Sequence, residues 1–165
     1  MKLIKKKNTL ILILKRIYNK IFGLVRSKKI WKFPKKNSLL ILDRVGSDKI
    51  EKTILGKTQY TILDDRNETI NIPILFLSLF YSIKYGFHAY KICFIKYVQP
   101  KIILTFIDTS IGFSKIMVKI PDIKFMMIMN GRRHEHEIKA LNLNKKYKLD
   151  YYFVFGDYYK KFVQN

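Results

Sequence analysis

Ser38-Leu39-Leu40-Ile41-Leu42-Asp43 is the stretch on which the reading of the fold turns. Four apolar residues run without alternation and close on an acid. This is the pattern of a strand buried on both faces, as in a parallel sheet covered by helices. The pattern returns four times. Tyr60-Thr61-Ile62-Leu63 closes on Asp64-Asp65, residues 101–107 (KIILTFI) on Asp108, residues 123–129 (IKFMMIM) on Asn130-Gly131, and residues 151–155 (YYFVF) on Gly156-Asp157. Helices are expected between the runs, over about 47–55, 72–85, 88–98, 112–119 and 157–163, with Pro100 and Pro121-Asp122 marking two of the junctions. Strands alternating with helices predict an α/β fold: a Rossmann-like, mainly parallel sheet of about five strands flanked by helices. The stretch 70–85 is apolar on nearly all sides, so its helix is expected to be covered on both faces.

Upstream of this pattern the chain changes character. Of its 33 Lys and Arg residues, thirteen fall in residues 1–36, which hold none of the 12 acids. The formal charge is +21, so residues 37–165 keep a moderately basic +8. Residues 9–31 read as one amphipathic helix, with Leu10, Leu14, Ile17, Ile21, Leu24 and Val25 at three- and four-residue steps. Lys5, Lys6, Lys7, Lys15, Arg16 and Lys20 are the residues expected to meet an anionic membrane surface, each adding on the order of 1 kcal/mol. The competing reading packs this helix on the domain or on a partner. Residues 33–37 (FPKKN) then act as a linker, which divides the chain into a basic helical arm, 1–37, and an α/β domain, 38–165.

Composition excludes several classes. With 48% hydrophobic residues and 15% aromatic, the chain is not a generally disordered one. The single Cys93 cannot form an internal disulfide and reads as a buried thiol, which fits a reducing cytoplasm. No run of 18 uncharged apolar residues predicts a membrane-spanning helix. The charge and the many aromatics raise nucleic-acid binding as a possibility, but the aromatics occupy core-like positions and no RNA-binding signature is present.

In an open parallel sheet, ligands bind beyond the carboxyl ends of the strands, and the polar residues closing the five runs share that edge. Gly46 and Ser47 form a strand-to-helix turn that suits either an anion or a simple cap. Asp65, Arg66 and Asn71 precede the apolar helix; Arg66 has the fork to clamp a phosphate or carboxylate, or else pairs locally with Asp64 or Glu68, with Thr69 or Asn71 as helix cap. Asp108 closes the third run. Asn130, Gly131 and Arg132, followed by Arg133, form the strongest local candidate for an anionic ligand. His134-Glu135-His136-Glu137 reads as a solvated loop, because consecutive positions do not converge on one ion, and no metal is expected.

Several phrases also occur in a familiar order: residues 41–47 (ILDRVGS), 60–71 (YTILDDRNETIN), 97–108 (YVQPKIILTFID), 121–125 (PDIKF) leading to Asn130-Gly131, and 150–156 (DYYFVFG). In this they resemble the N-terminal half of bacterial surface carbohydrate biosynthesis proteins. These are GT-B-like transferases, distantly similar to the CDP-glycerol glycerophosphotransferases. The resemblance implies a cleft between two Rossmann-like domains, with Asp65, Arg66, Asn71, Asp108, Asn130 and Gly131 facing it on the acceptor side. It implies a lipid-linked or saccharide acceptor and a nucleotide-activated donor bound as substrate by the other domain, with no resident cofactor. The phrases reach only to the point where such a second domain would follow. The expectation is therefore an acceptor-side domain, peripheral on the inner membrane face, that needs a separate C-terminal transferase domain for turnover. The alternative is a non-catalytic binding module or remnant.

Overall fold

The computed structural model describes residues 22–23, 25–44, 48, 56, 58–64, 68–107, 113, 116–132, 134 and 148–163. Strands β2 (Leu39–Leu42), β3 (Tyr60–Leu63), β5 (Ile102–Thr105), β6 (Lys124–Ile128) and β7 (Tyr151–Phe153) form one sheet in the order β3-β2-β5-β6-β7, and every neighbouring pair is parallel. Counted along the chain this is a 2-1-3-4-5 arrangement, a doubly wound, Rossmann-like α/β sheet. All five predicted runs are strands of it. A smaller parallel pair joins β1 (Lys28–Ile30) to β4 (Thr69–Asn71).

Register explains the core. Leu40 stands opposite Ile103, and Ile103 opposite Phe125, so large apolar side chains form a row across one face. Helix α2 (Ala89–Val98) covers that row with Ile92, Cys93, Ile95 and Val98, together with Phe113, Ile116 and Met117. The Phe113 and Phe125 rings meet at 5.7 Å. On the opposite face Leu39 and Leu104 pack with Tyr60, Phe106, Met126 and Ile128. Cys93 is buried, and that burial pushes its thiol pKa up.

The outermost strand departs from expectation. Residues 151–155 read as a run buried on both faces, yet Tyr151 and Phe153 are exposed and only Tyr152 faces the core. The reason is position, since β7 pairs with β6 alone and ends the sheet. Asp150 anchors its start: its carboxyl accepts from the Phe125 N–H at 2.8 Å, and its own N–H donates to the Phe125 carbonyl.

Three further expectations are corrected. A helix over 9–31 does not hold at its end. Phe22, Gly23, Val25 and Arg26 are helical, but the Ser27 N–H closes that helix on Gly23 and Lys28 begins β1 by donating to the Glu68 carbonyl. A strand partner outcompetes the helical period there. Residues 33–37 are also more than a tether. Phe33 stacks on Tyr97 at 4.8 Å, and Thr61 donates to the Lys35 carbonyl while accepting from Asn37.

The largest correction concerns helix α1 (Ile72–Tyr85), expected to be covered on both faces. Only Ile74 and Ser78 are buried, and its other side carries Phe76, Leu79, Phe80 and Ile83 into solvent. Helix α1 packs against α2, and α2 packs against the sheet, so α1 is an outer layer with nothing described beyond it. The segment Ile72–Val98 is long and apolar enough to cross a membrane by length and composition. It is instead folded on itself: Gly86, at φ 53°, ends α1, and a single 3-10 turn (Gly86–His88) reverses the chain into α2. The predicted helices over 47–55 and 112–119 lie mostly outside the described residues, although Asp48, Phe113, Ile116 and Met117 are helical. Helix α3 (Gly156–Val163) follows β7 as expected.

At the reversal of strand order, between β2 and β5, Thr105 is fully buried. Its hydroxyl donates to the Leu42 carbonyl at 3.2 Å and accepts from the Ile107 N–H at 3.0 Å. Thr105→Val keeps the shape and leaves that N–H without its acceptor. It is expected to lower stability by about 1–3 kcal/mol in chemical denaturation, with an unchanged m-value.

Candidate functional site

The carboxyl edge of the sheet is where side chains from different strands converge. Asp43, leaving β2, takes a left-handed φ of 66° while buried, which turns the chain sharply at the switch point. One residue on, Arg44 reaches towards Asp64 at the end of β3, with Nε 3.9 Å from Oδ1. The Asp64 side chain is only 2% exposed. Thr69 of β4 donates its hydroxyl to the other oxygen, Oδ2. Oδ1 is buried and accepts no hydrogen bond. A buried carboxyl oxygen without a hydrogen-bond donor is costly, and the Arg44 guanidinium at 3.9 Å offsets part of that cost.

The cleft around it measures about 410 Å³. Its walls are aromatic (Phe33, Tyr60, Tyr90, Phe94), and its polar groups are Lys32, Arg44, Asp64, Thr69 and Asn71. An apolar hollow with a few convergent polar groups is the usual constitution of a small-molecule site. The β1–β4 pair forms one side of it, and β4 was not foreseen. The signal available in the sequence was short: Thr69-Ile70-Asn71, two β-branched residues before a cap.

Asn71 does line this cleft, but its side chain is engaged. Oδ1 accepts from the Ile74 N–H at 3.1 Å, capping α1, and Nδ2 donates to the Lys32 carbonyl at 2.7 Å. The Asn71 N–H donates to the Tyr90 hydroxyl at 2.9 Å. Asn71 thus positions the wall and closes the helix end that an anion would otherwise use. Tyr90 is held above the ordinary phenol value, first by burial and further by the nearby Asp64 charge.

A second hollow, of about 490 Å³, opens at the β6–β7 end of the same edge and is lined by Arg132, His134, Tyr158 and Tyr159. It contains one member of the Asn130-Gly131-Arg132 candidate. The space beside Gly131 is open, since a Cβ there would meet nothing within 4 Å. Of the other predicted site residues, Gly46, Ser47, Asp65, Arg66 and Asp108 lie outside the described residues, as do the membrane-contact residues Lys5, Lys6, Lys7, Lys15, Arg16 and Lys20. Asp64, the residue sequence reasoning passed over in favour of its neighbours, is the one the described fold places in the cleft. No group of three or more His, Cys, Asp or Glu gathers as a metal site among the described residues.

The structure is a Rossmann-like α/β domain with one hollow along its edge strand β3 and another lined by Arg132, His134, Tyr158 and Tyr159. Comparison with family models, with curated proteins and with solved structures returns no match.

Tyr90 supplies a direct check on the cleft. A phenol whose folded pKa is raised favours the fold fully below the unfolded value of about 10, and that contribution is lost as pH climbs from there through the folded value. Alkaline absorbance titration is expected to show a late-titrating tyrosine that disappears in Tyr90→Phe. The same variant removes the acceptor of the Asn71 N–H and is expected to cost about 1 kcal/mol at neutral pH.

Proposed function

We propose that this chain is the acceptor-side domain of a glycosyltransferase-like protein of surface polysaccharide biosynthesis, acting at an anionic membrane face. The observation that carries the reading is the buried Asp64 carboxyl group, paired with Arg44, in an aromatic-walled cleft that runs along strand β3 to its carboxyl end. A saccharide or polyol acceptor offers what that cleft lacks: hydroxyl donors for the carboxyl oxygen and C–H faces for the rings. Arg44, beside the carboxyl group, suits a phosphate carried on the same acceptor.

In such a protein this domain binds and orients the acceptor hydroxyl. A second Rossmann-like domain holds the nucleotide-activated donor. The hydroxyl oxygen displaces the nucleotide from the donor carbon or phosphorus, and cationic groups stabilise the departing phosphate. The Arg132 hollow, with His134 beside it, suits an anionic group of either substrate. The strongly basic arm holds the protein at the anionic surface where lipid-linked acceptors reside.

Binding is tested with glycerol 3-phosphate and a set of hexose phosphates, by saturation-transfer NMR and calorimetry. At least one probe is expected to bind, with affinity reduced about tenfold or more in Asp64→Ala, as befits a lost charge-assisted hydrogen bond. If no probe binds, or if Asp64→Ala binds as well as the parent, the acceptor reading fails.

A further inference from the structure

Helix α1 carries two apolar stripes, and the fold uses one. Ile74, Ser78, Tyr81 and Tyr85 recur at helical spacing and face the body of the protein. Phe76, Leu79, Phe80 and Ile83 form the opposite stripe; Phe80 is 82% exposed and Ile83 96%. Phe87, in the turn after α1, is exposed as well. An apolar face of this size is ordinarily covered by something.

The charges around it select the cover. Between Glu68 and Asp108 the chain has no acid, while it has Lys84, Lys91, Lys96 and Lys101. At the C-terminal end of α1, on the side towards the body, Lys84, Lys96 and Lys119 stand at 5.4, 5.4 and 5.7 Å from the Tyr85 ring centroid, and Lys96 also stands 5.7 Å from that of Tyr81. Large apolar side chains on one side of the helix, with tyrosines and long cations at its C-terminal end, match the layering of a lipid interface: acyl chains, then the glycerol level, then phosphates.

The helix lies along the surface and does not span. Fourteen residues extend roughly 21 Å, short of the ~30 Å hydrocarbon core. Helix α2 cannot lengthen it, because Ile92, Ile95 and Val98 are committed to the protein core.

We propose that the outer face of α1 is a membrane-docking surface for an anionic bilayer, with Phe76, Leu79, Phe80 and Ile83 seated at the acyl boundary and the lysines around Tyr85 at the lipid phosphates. The proposal rests on the membrane-face part of the proposed function and is independent of what the cleft binds. It adds a second contact, built into the folded domain, to the basic arm.

The test uses the full chain with vesicles of phosphatidylcholine alone or mixed equally with phosphatidylglycerol. Phe80→Glu/Ile83→Glu alters two exposed side chains, so circular dichroism is expected to show an unchanged fold. Flotation on the anionic vesicles is expected to fall by about tenfold or more, since apolar insertion is lost and repulsion added. A second variant neutralises the arm by changing Lys5, Lys6, Lys7, Lys15, Arg16 and Lys20 to Gln; its residual binding should still fall on adding the α1 changes. Placement is read with Trp31→Phe/Phe80→Trp, whose emission should be quenched by lipids brominated on the acyl chains.

Undiminished flotation of the Phe80→Glu/Ile83→Glu chain would overturn the α1 proposal while leaving arm binding intact. So would an absence of acyl-chain quenching. A parent chain that is dimeric without lipid, fails to bind vesicles and becomes monomeric on the α1 changes would assign the face to a second copy instead. Failure of the saccharide probes with normal flotation would remove the transferase reading and leave this one standing.

Discussion

The structure depends on the burial of β2. Its four residues are hydrogen-bonded to parallel neighbours on both sides and covered on both faces. A parallel strand cannot be closed by a hairpin; each partner must return through a crossover, and the crossover elements are what cover the sheet. Once β2 is central, β3 and β5 stand on either side of it and the strand order reverses there. The carboxyl ends then share one edge, where Asp43, Arg44, Asp64 and Thr105 are brought together from three strands.

What encloses the cleft comes from outside the main sheet. β1 and β4 pair with each other, and through them Lys32, Phe33, Thr69 and Asn71 form a wall beside Asp64. The Asn71 bonds connect this wall to the start of α1 and to Tyr90 on α2. The helical hairpin and the ligand-facing edge are therefore mechanically joined. A domain of this construction presents a polar site on its edge and an apolar face on its outermost helix.

The central apolar runs and their parallel character were legible because a strand buried on both faces, as β2 is, has little choice of residue. Unbroken Leu, Ile, Val and Phe closing on Asp or Asn is its direct imprint. The end of the arm was not legible. The helical period through residue 31 is real, but the backbone of residues 28–30 finds a strand partner at residues 69–71, about forty positions away, and local periodicity carries no information on that pairing. Asp64 was passed over for a related reason. Local periodicity does not show that Asp64, closing β3, is packed against Arg44 and Thr69.

By itself, then, the sequence determined the class of fold and the crowding of positive charge into residues 1–36, because burial and charge act through residue type. Tertiary structure alone decided that Asp64 is buried, that Asn71 is already used as a cap, and that α1 covers α2 with one apolar stripe and leaves the other in solvent. Hydrophobicity records that a side chain resists water. Whether protein, lipid or nothing covers it is settled only by where the neighbouring layers end.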